Sequence, residues 1–219
     1  MSNEESQLST AAVLRESPSR LEAHLSMKNE PPPLLTIREM SRHGDFVRTV
    51  ICKPSTITVL VSSEVEDLEH LRSALAGRSS SSIVSLRTGG REMHASEVYS
   101  FSSQTTLFER TTVREALLAV GAPEWAVDSL LVEAGLQSQL SQNVRSLDEC
   151  AVRRLALLCS LFNRAQVVFW ESPFAPLTSA WVERMAALLA NHVARSGKIF
   201  IATGIVRLPS SWNGSKLVT

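Results

Sequence analysis

Neither sign of charge is in excess in this chain. Its 22 basic and 22 acidic residues cancel, so no overall field draws it to nucleic acid or to an anionic membrane. No apolar run approaches the roughly 18 residues of a membrane span, so no direct span is expected. Cysteine is scarce: Cys52, Cys150 and Cys159 are too few and too scattered for a disulfide framework or a zinc site. A reducing cytoplasm is then the default compartment. The histidines, five in number, lack the spacing of metal ligands, and neither metal nor cofactor is expected. The opening "MSNEESQLST" is acidic and polar, unlike a secretory signal. Internal repeats are absent as well. What remains is the composition of an ordinary globular protein, 44% hydrophobic and 20% charged, long enough for one domain with a sizeable core.

Residues 1–33 are rich in Ser, Glu and Asn, end in "EPPP", and read as a mobile tail. The segments "LLTIREM" and "FVRTVICK" read as an antiparallel hairpin turning at "SRHGD". The run "STITVLVS" is apolar and β-branched, fit for a buried strand. A helix over 66–77 follows it, with Leu68, Leu71 and Leu75 on one face. Next come a turn, strand and second turn in "SSSSIVSLRTGGREM", and a strand in "EVYSFSS". Residues 111–140 read as helical with a break at "GAPEW". The segment "LDECAVRRLALLCSLF" is a strong helix, "AQVVFW" a short buried strand, and "SAWVERMAALLANHVARSG" a long helix stopped by Gly197. "KIFIAT" is a last buried strand, and 207–219 a short C-terminal tail. Strands alternating with helices imply an α/β sheet, largely parallel in its core.

The turn after "STITVLVS" also lacks something. Strand, short turn and helix are the frame of a phosphate-binding loop, yet the turn has no glycine and no lysine. It holds Glu64, Glu66, Asp67 and Glu69 instead. Such a loop holds phosphate through backbone N–H groups at a helix N-terminus, glycines that allow close approach, and a lysine. Acids repel a triphosphate: one unit-charge pair about 4 Å apart costs on the order of 4 kcal/mol at an effective dielectric near 20. "SEVE" (Ser63 to Glu66) matches the S-x-x-E capping box, which satisfies the orphan N–H groups without a ligand. The acids are either such a permanent cap or a solvated charged turn, and both exclude ATP.

Five stretches in order make the chain resemble the ATPase domain of ABC transporters. That family's loop, G-P-N-G-A-G-K-S-T-L-L-R-L-L-A-G, lies without a gap on Ser62 to Gly77. Gln104 falls at its Q-loop glutamine, and the following "TTVREAL" is close to T-V-R-E-N-L. The signature L-S-G-G-Q-R-Q-R-V-A-L-A-R-A-L falls on "LDECAVRRLALLCSL". Apolar residues then D-E-P fall on "VVFWESP", and apolar residues then T-H on "FIATG". The resemblance covers roughly 34–206. It implies a P-loop NTPase-like α/β core with an N-terminal antiparallel hairpin and a small helical subdomain at about 107–147.

Read through that resemblance, the chemistry has been lost. Leu68 stands for the phosphate-binding lysine and Glu69 for the magnesium-binding hydroxyl. Ser62, Val65 and Asp67 replace glycines. Asp148 and Glu149 replace the serine and a glycine of the signature, at another helix N-terminus. Glu171 could still reach a metal, but Ser172 stands for the catalytic glutamate and cannot act as a general base at neutral pH. Gly204 stands for the histidine that would contact the γ-phosphate. Gln104 survives, either as a nucleotide sensor or as one glutamine in a polar loop. In the family each nucleotide sits between the loop of one chain and the signature of another, and both are lost here.

The expectation is therefore a catalytically inactive ABC-type subunit with a structural or regulatory role in a membrane-associated transporter-like complex. It would lie at the cytoplasmic face of a membrane, held by partners. Those would be a permease-like subunit and an intact ABC ATPase or a second copy of itself, with no nucleic acid. The partner-binding surface is placed at Gln104, Thr112, Glu115 and Trp125, where the family docks a coupling helix. Trp125 is either an exposed anchor or core, and Thr112 to Glu115 also matches a T-x-x-E box. Two alternatives stand beside this: a soluble interaction module on the same fold, and a divergent but active ATPase.

Overall fold

The computed structural model describes residues 34–40, 46–60, 73, 84–94, 97–101, 110–205, 207–212 and 216–218. The tail at 1–33, the turn "SRHGD" and the phosphate-loop region 61–72 lie outside the described residues, as does all of the 66–77 helix except Ser73, which is helical.

Three layers follow from two sheets and one set of helices. The first sheet is antiparallel. It contains β1 (Leu35–Met40), β2 (Phe46–Cys52), β4 (Val84–Thr88) and β5 (Arg91–Met93), in the order β2-β1-β4-β5. The expected pairing of "LLTIREM" with "FVRTVICK" is β1 against β2, with Ile37 opposite Val50. The three-residue strand β5 was not anticipated. It turns back on β4 through Gly89 and Gly90, both at positive φ, which the tight two-residue hairpin requires.

The second sheet is wholly parallel. Its order is β6-β7-β8-β3-β9, made of β3 (Thr56–Leu60), β6 (Val98–Phe101), β7 (Val167–Glu171), β8 (Ile199–Thr203) and β9 (Lys216–Val218). Strands β7 and β8 are near-continuous apolar runs, as parallel strands covered on both faces must be. Period two sorts their side chains. Val167, Phe169, Ile199 and Ile201 pack with Leu35, Ile37, Val50 and Met93 of the antiparallel sheet. Val168, Trp170, Phe200 and Ala202 point the other way, into the core shared with the helices.

Among the described residues, α1 (Val113–Ala119), α2 (Glu124–Glu133), α3 (Glu149–Phe162) and α4 (Ser179–Ser196) contribute to the core on that second side. Gly197 caps α4 at φ 68°, the left-handed C-cap that the sequence implies. The break at "GAPEW" separates α1 from α2, with Pro123 as N-cap.

The residues read as a C-terminal tail are partly built into the domain. Strand β9 pairs with β3, Leu217 opposite Val59. Just before it, Trp212 is 1% exposed. Its indole N–H donates to the Ala186 carbonyl at 2.9 Å, and its ring stacks on Trp170 with centroids 6.0 Å apart.

Candidate functional site

In a parallel sheet every strand ends at the same edge, and ligands of open α/β folds gather outside the carboxyl ends. Here that edge is formed by Leu60, Phe101, Glu171 and Thr203. The sequence positions that follow are the ones singled out above. Ser62, Glu64, Asp67, Leu68, Glu69 and Gln104 follow β3 and β6 and lie outside the described residues. Glu171, Ser172 and Gly204 are described, and the structure brings them together.

Glu171 pairs in register with Thr203, and the Ser172 N–H donates to the Thr203 carbonyl at 2.9 Å. Ser172 itself adopts φ 47°, and Gly204 φ 67°. A Cβ built on Gly204 would lie 2.2 Å from the Ser172 Oγ. The serine hydroxyl thus occupies the space that any side chain at 204 would need. Thr203 is fully buried and its Oγ1 has no hydrogen-bond partner. Among the described residues, no group of three His, Cys, Asp or Glu is placed to hold a metal ion. A cleft of about 700 Å³ opens beside Gly204, lined by Phe174, Leu177, Val182 and Ile205.

The acids of the signature region sit at the head of α3. Asp148 is its N-cap, and its Oδ1 accepts a hydrogen bond from the Ala151 N–H at 2.7 Å. One orphan donor of the helix is thereby satisfied from within the chain. Glu149 is exposed in the first turn, where a negative charge favours the helix dipole.

The Thr112–Glu115 box is present in full at α1. The Glu115 N–H donates to the Thr112 Oγ1 at 3.3 Å, and the Thr112 N–H to the Glu115 Oε2 at 2.8 Å. The Thr112 hydroxyl also donates to Oε2, at 2.9 Å, and the Thr112 N–H first and this hydroxyl second hold the Glu115 carboxyl below the usual carboxylate range. Arg114 reaches across to α2, with Nη2 3.3 Å from Glu124 and Nε 3.6 Å from Asp128. On α2, Trp125 is 87% exposed, so of the two fates open to it the structure shows the surface one.

One cluster has no counterpart in the sequence reading. Arg154 is buried within α3, and its Nη1 donates to the carbonyls of Ala134 at 2.6 Å and Gly135 at 3.1 Å. Arg184 of α4 donates to the Val132 carbonyl at 3.0 Å. Both guanidinium groups lie over the ring of Trp181, at 4.0 and 5.1 Å from its centroid. The C-terminal carbonyls of α2 are therefore held by two cations that share one indole, which suits the negative end of a helix dipole. Gly135, at φ 65°, leaves room for that indole: a Cβ there would meet Trp181 at 2.2 Å. An arginine pair inside an apolar helix run is the signal that could have drawn attention to this clamp.

No family model matches the chain, and no curated protein matches it either. Solved structures do. A putative ABC transporter ATP-binding protein from Pyrococcus furiosus superposes with a TM-score of 0.67 at 11% identity, covering 84% of this chain and 96% of that one. An ATP-binding subunit of an ABC transporter gives 0.61 at 14% identity, with 79% and 80% covered. The ADP conformation of an ATP-binding cassette of an ABC transporter gives 0.56 at 12% identity, with 78% and 80% covered. The chain has the fold of an ABC transporter ATP-binding domain. Among the described residues, no helix is long and apolar enough to cross a membrane.

Proposed function

We propose that this chain is a catalytically silent form of the ABC ATP-binding fold, serving as a structural or regulatory subunit of a membrane-associated transporter-like assembly. The observation that carries the reading is the contact between Ser172 and Gly204. By the family resemblance these positions would bear the base that activates water and the histidine that meets the γ-phosphate. Here one is a hydroxyl too weakly basic for that work. The other is a glycine at positive φ with its side-chain space filled by that hydroxyl. The self-capped start of α3 supports the same reading, because Asp148 takes up an N–H donor at the helix head. So does the loop sequence from Ser62 to Glu69, which has Leu68 at the lysine position, Ser62, Val65 and Asp67 at the glycine positions and Glu69 at that of the hydroxyl. With catalysis gone, binding to partners retains the fold, and α1 and α2 provide the surface for it. The subunit would lie at the cytoplasmic face of a membrane through a permease-like partner, beside an intact ATPase or a second copy.

Calorimetry with Mg-ATP tests the core of this reading. The expected trace is flat at millimolar nucleotide. A Kd below about 100 μM, equivalent to more than about 5 kcal/mol of binding free energy, overturns it. So does ATP turnover that disappears in Glu171→Gln. Leu68→Lys alone is expected not to restore binding, since the glycines and the hydroxyl are missing too.

A further inference from the structure

At the amino end of the parallel sheet, opposite the edge that carries Glu171 and Thr203, a cavity of about 360 Å³ lies between the last turns of α3 and α4. Leu161 and Phe162 form its apolar wall, and Asn191, His192, Arg195 and Lys198 its polar one. Lys198 is half-buried, and its Nζ donates to the carbonyls of Leu161, at 3.1 Å, and Asn163. Two of the three ammonium donors are thereby fixed and one is left. The Leu188 carbonyl lies 3.2 Å from His192 Nδ1, which puts a ring proton there and leaves Nε2 for a ligand. Phe162 meets that imidazole edge-on, with centroids 6.2 Å apart. Arg195 is exposed and in no ion pair among the described residues. The sequence keeps acids off these elements: none stands between Glu149 and Glu171, and none follows Glu183. Neighbouring segments add further cations. Arg164 is exposed just after Asn163, and Lys53 precedes the turn whose Ser55 N–H donates to the Lys198 carbonyl at 2.7 Å. Glu97 and Glu124 lie on segments that approach this end, and each has a cation of its own. Glu97 lines the adjacent cleft and holds Arg91 at 2.6 Å. Glu124 follows the turn at Gly121, near the Phe162 carbonyl, and holds Arg114 at 3.3 Å. The negative ends of the α3 and α4 dipoles favour cations here, but they do not call for an apolar wall between them.

We propose that this cavity binds a small amphiphilic anion: an acyl or aryl body seated on Leu161 and Phe162, with a carboxylate or phosphate head held by Arg195, Lys198 and His192. The volume falls within the range of about 300–1,000 Å³ usual for small-molecule sites, which pair apolar walls with a few placed polar groups. Charge-assisted hydrogen bonds from a guanidinium and an ammonium suit either head group. Burial pushes the Lys198 ammonium down from its ordinary value, and an anion beside it would offset that cost. A free anion fits better than a bilayer. Helices that lie on membranes present exposed apolar side chains beside a basic face. The large apolar side chains exposed among the described residues, Leu34, Ile51, Trp125 and Val132, stand on other elements. Nothing in this site depends on whether the opposite edge of the sheet takes nucleotide.

The test uses the full chain in a phosphate-free buffer, with octyl phosphate, octanoate, octylamine and inorganic phosphate as probes. Calorimetry reads binding, and the melting temperature reads the stabilisation that a ligand of the native state confers. Octyl phosphate and octanoate are expected to bind at least about tenfold more tightly than octylamine, which lacks the anion. Octyl phosphate should also exceed inorganic phosphate by at least about tenfold, since the alkyl chain adds apolar burial. Arg195→Glu should weaken octyl phosphate at least about tenfold while the free protein melts as before. Phe162→Ala should weaken octyl phosphate and leave inorganic phosphate unchanged. Arg195 is exposed, so its variant decides the matter even if Phe162→Ala does not fold. Absence of heat at millimolar octyl phosphate overturns the proposal, as does equal binding of octylamine or binding indifferent to Arg195→Glu. Flotation with phosphatidic acid vesicles that depends on Arg195, while octyl phosphate stays unbound, assigns the site to a bilayer and overturns it too. Mg-ATP binding that survives Arg195→Glu would remove the silent-ATPase reading and leave this site standing, so the two failures are distinct.

Discussion

Adding a Cβ at Gly204 would bring it within 2.2 Å of the Ser172 hydroxyl, on a backbone already at φ 67°. Steric and torsional penalties therefore coincide at one residue, and Gly204→Ala is expected to destabilise the fold by about 1–3 kcal/mol. Ser172→Gly in the same chain should recover the steric part, so the two changes should be non-additive by roughly 0.5 kcal/mol or more. Denaturant unfolding of the two single variants and the double one measures this. An unaltered midpoint for Gly204→Ala would show that the serine yields freely. The thiols supply a second residue-scale test. Cys52 and Cys159 are buried and Cys150 is partly exposed, so in the native protein a thiol reagent should titrate Cys150 first. Burial pushes the Cys159 thiol up to about 12, from an ordinary value of 9.0. Between those values the unfolded chain has lost that proton and the folded one keeps it. Stability should accordingly fall as pH rises above about 9, and Cys159→Ser should flatten that slope in melting curves taken across the range.

Helix ends are where sequence and structure agree most closely. The T-x-x-E box at Thr112, the aspartate at the head of α3 and the glycine after α4 each state a local rule within a few residues, and each is found in place. Thr112→Ala should remove the cap of α1 at a cost of about 1 kcal/mol, seen as a lowered thermal midpoint. The buried strands β7 and β8 were legible for a similar reason, since an unbroken apolar run bounded by polar residues has few other homes. Elements whose cause lies far away in sequence were not legible. Strand β9 is three residues long and owes its existence to an open edge on β3, which nothing local in "WNGSKLVT" announces. Trp125 has alanine and valine after it, so core and surface were equally open until the start of α2 fixed which side it faces. The Arg154–Trp181 clamp joins three helices, and its partners on α2 are backbone carbonyls, which no side-chain pattern encodes. Gly135→Ala should drive a methyl into Trp181 and loosen the C-terminal turn of α2. Faster amide exchange there, with the parallel sheet unchanged, is the expected signature.

Across the whole molecule, the central sheet is joined by residues from opposite ends of the chain. Removing Trp212 takes a fully buried ring from its stack on Trp170 and its packing on Phe174. Trp212→Ala should cost about 3–5 kcal/mol, the usual range for an aromatic deleted from a core, and should expose surface that binds a hydrophobic dye. A loss below about 1 kcal/mol would mean the C-terminal segment rests on the domain without supporting it. The order β6-β7-β8-β3-β9 has a consequence for synthesis. Strand β3 is made early, yet both its neighbours, β8 and β9, are among the last strands to leave the ribosome. While the intervening helices α1 to α4 can form from nearby residues, β3 waits with an apolar face and unpaired backbone on both sides. Long-range closure of this kind is slow, and an exposed strand of that sort is where a nascent chain aggregates. A chain stalled before residue 199 should therefore be held by chaperones, whereas one released after residue 218 should not.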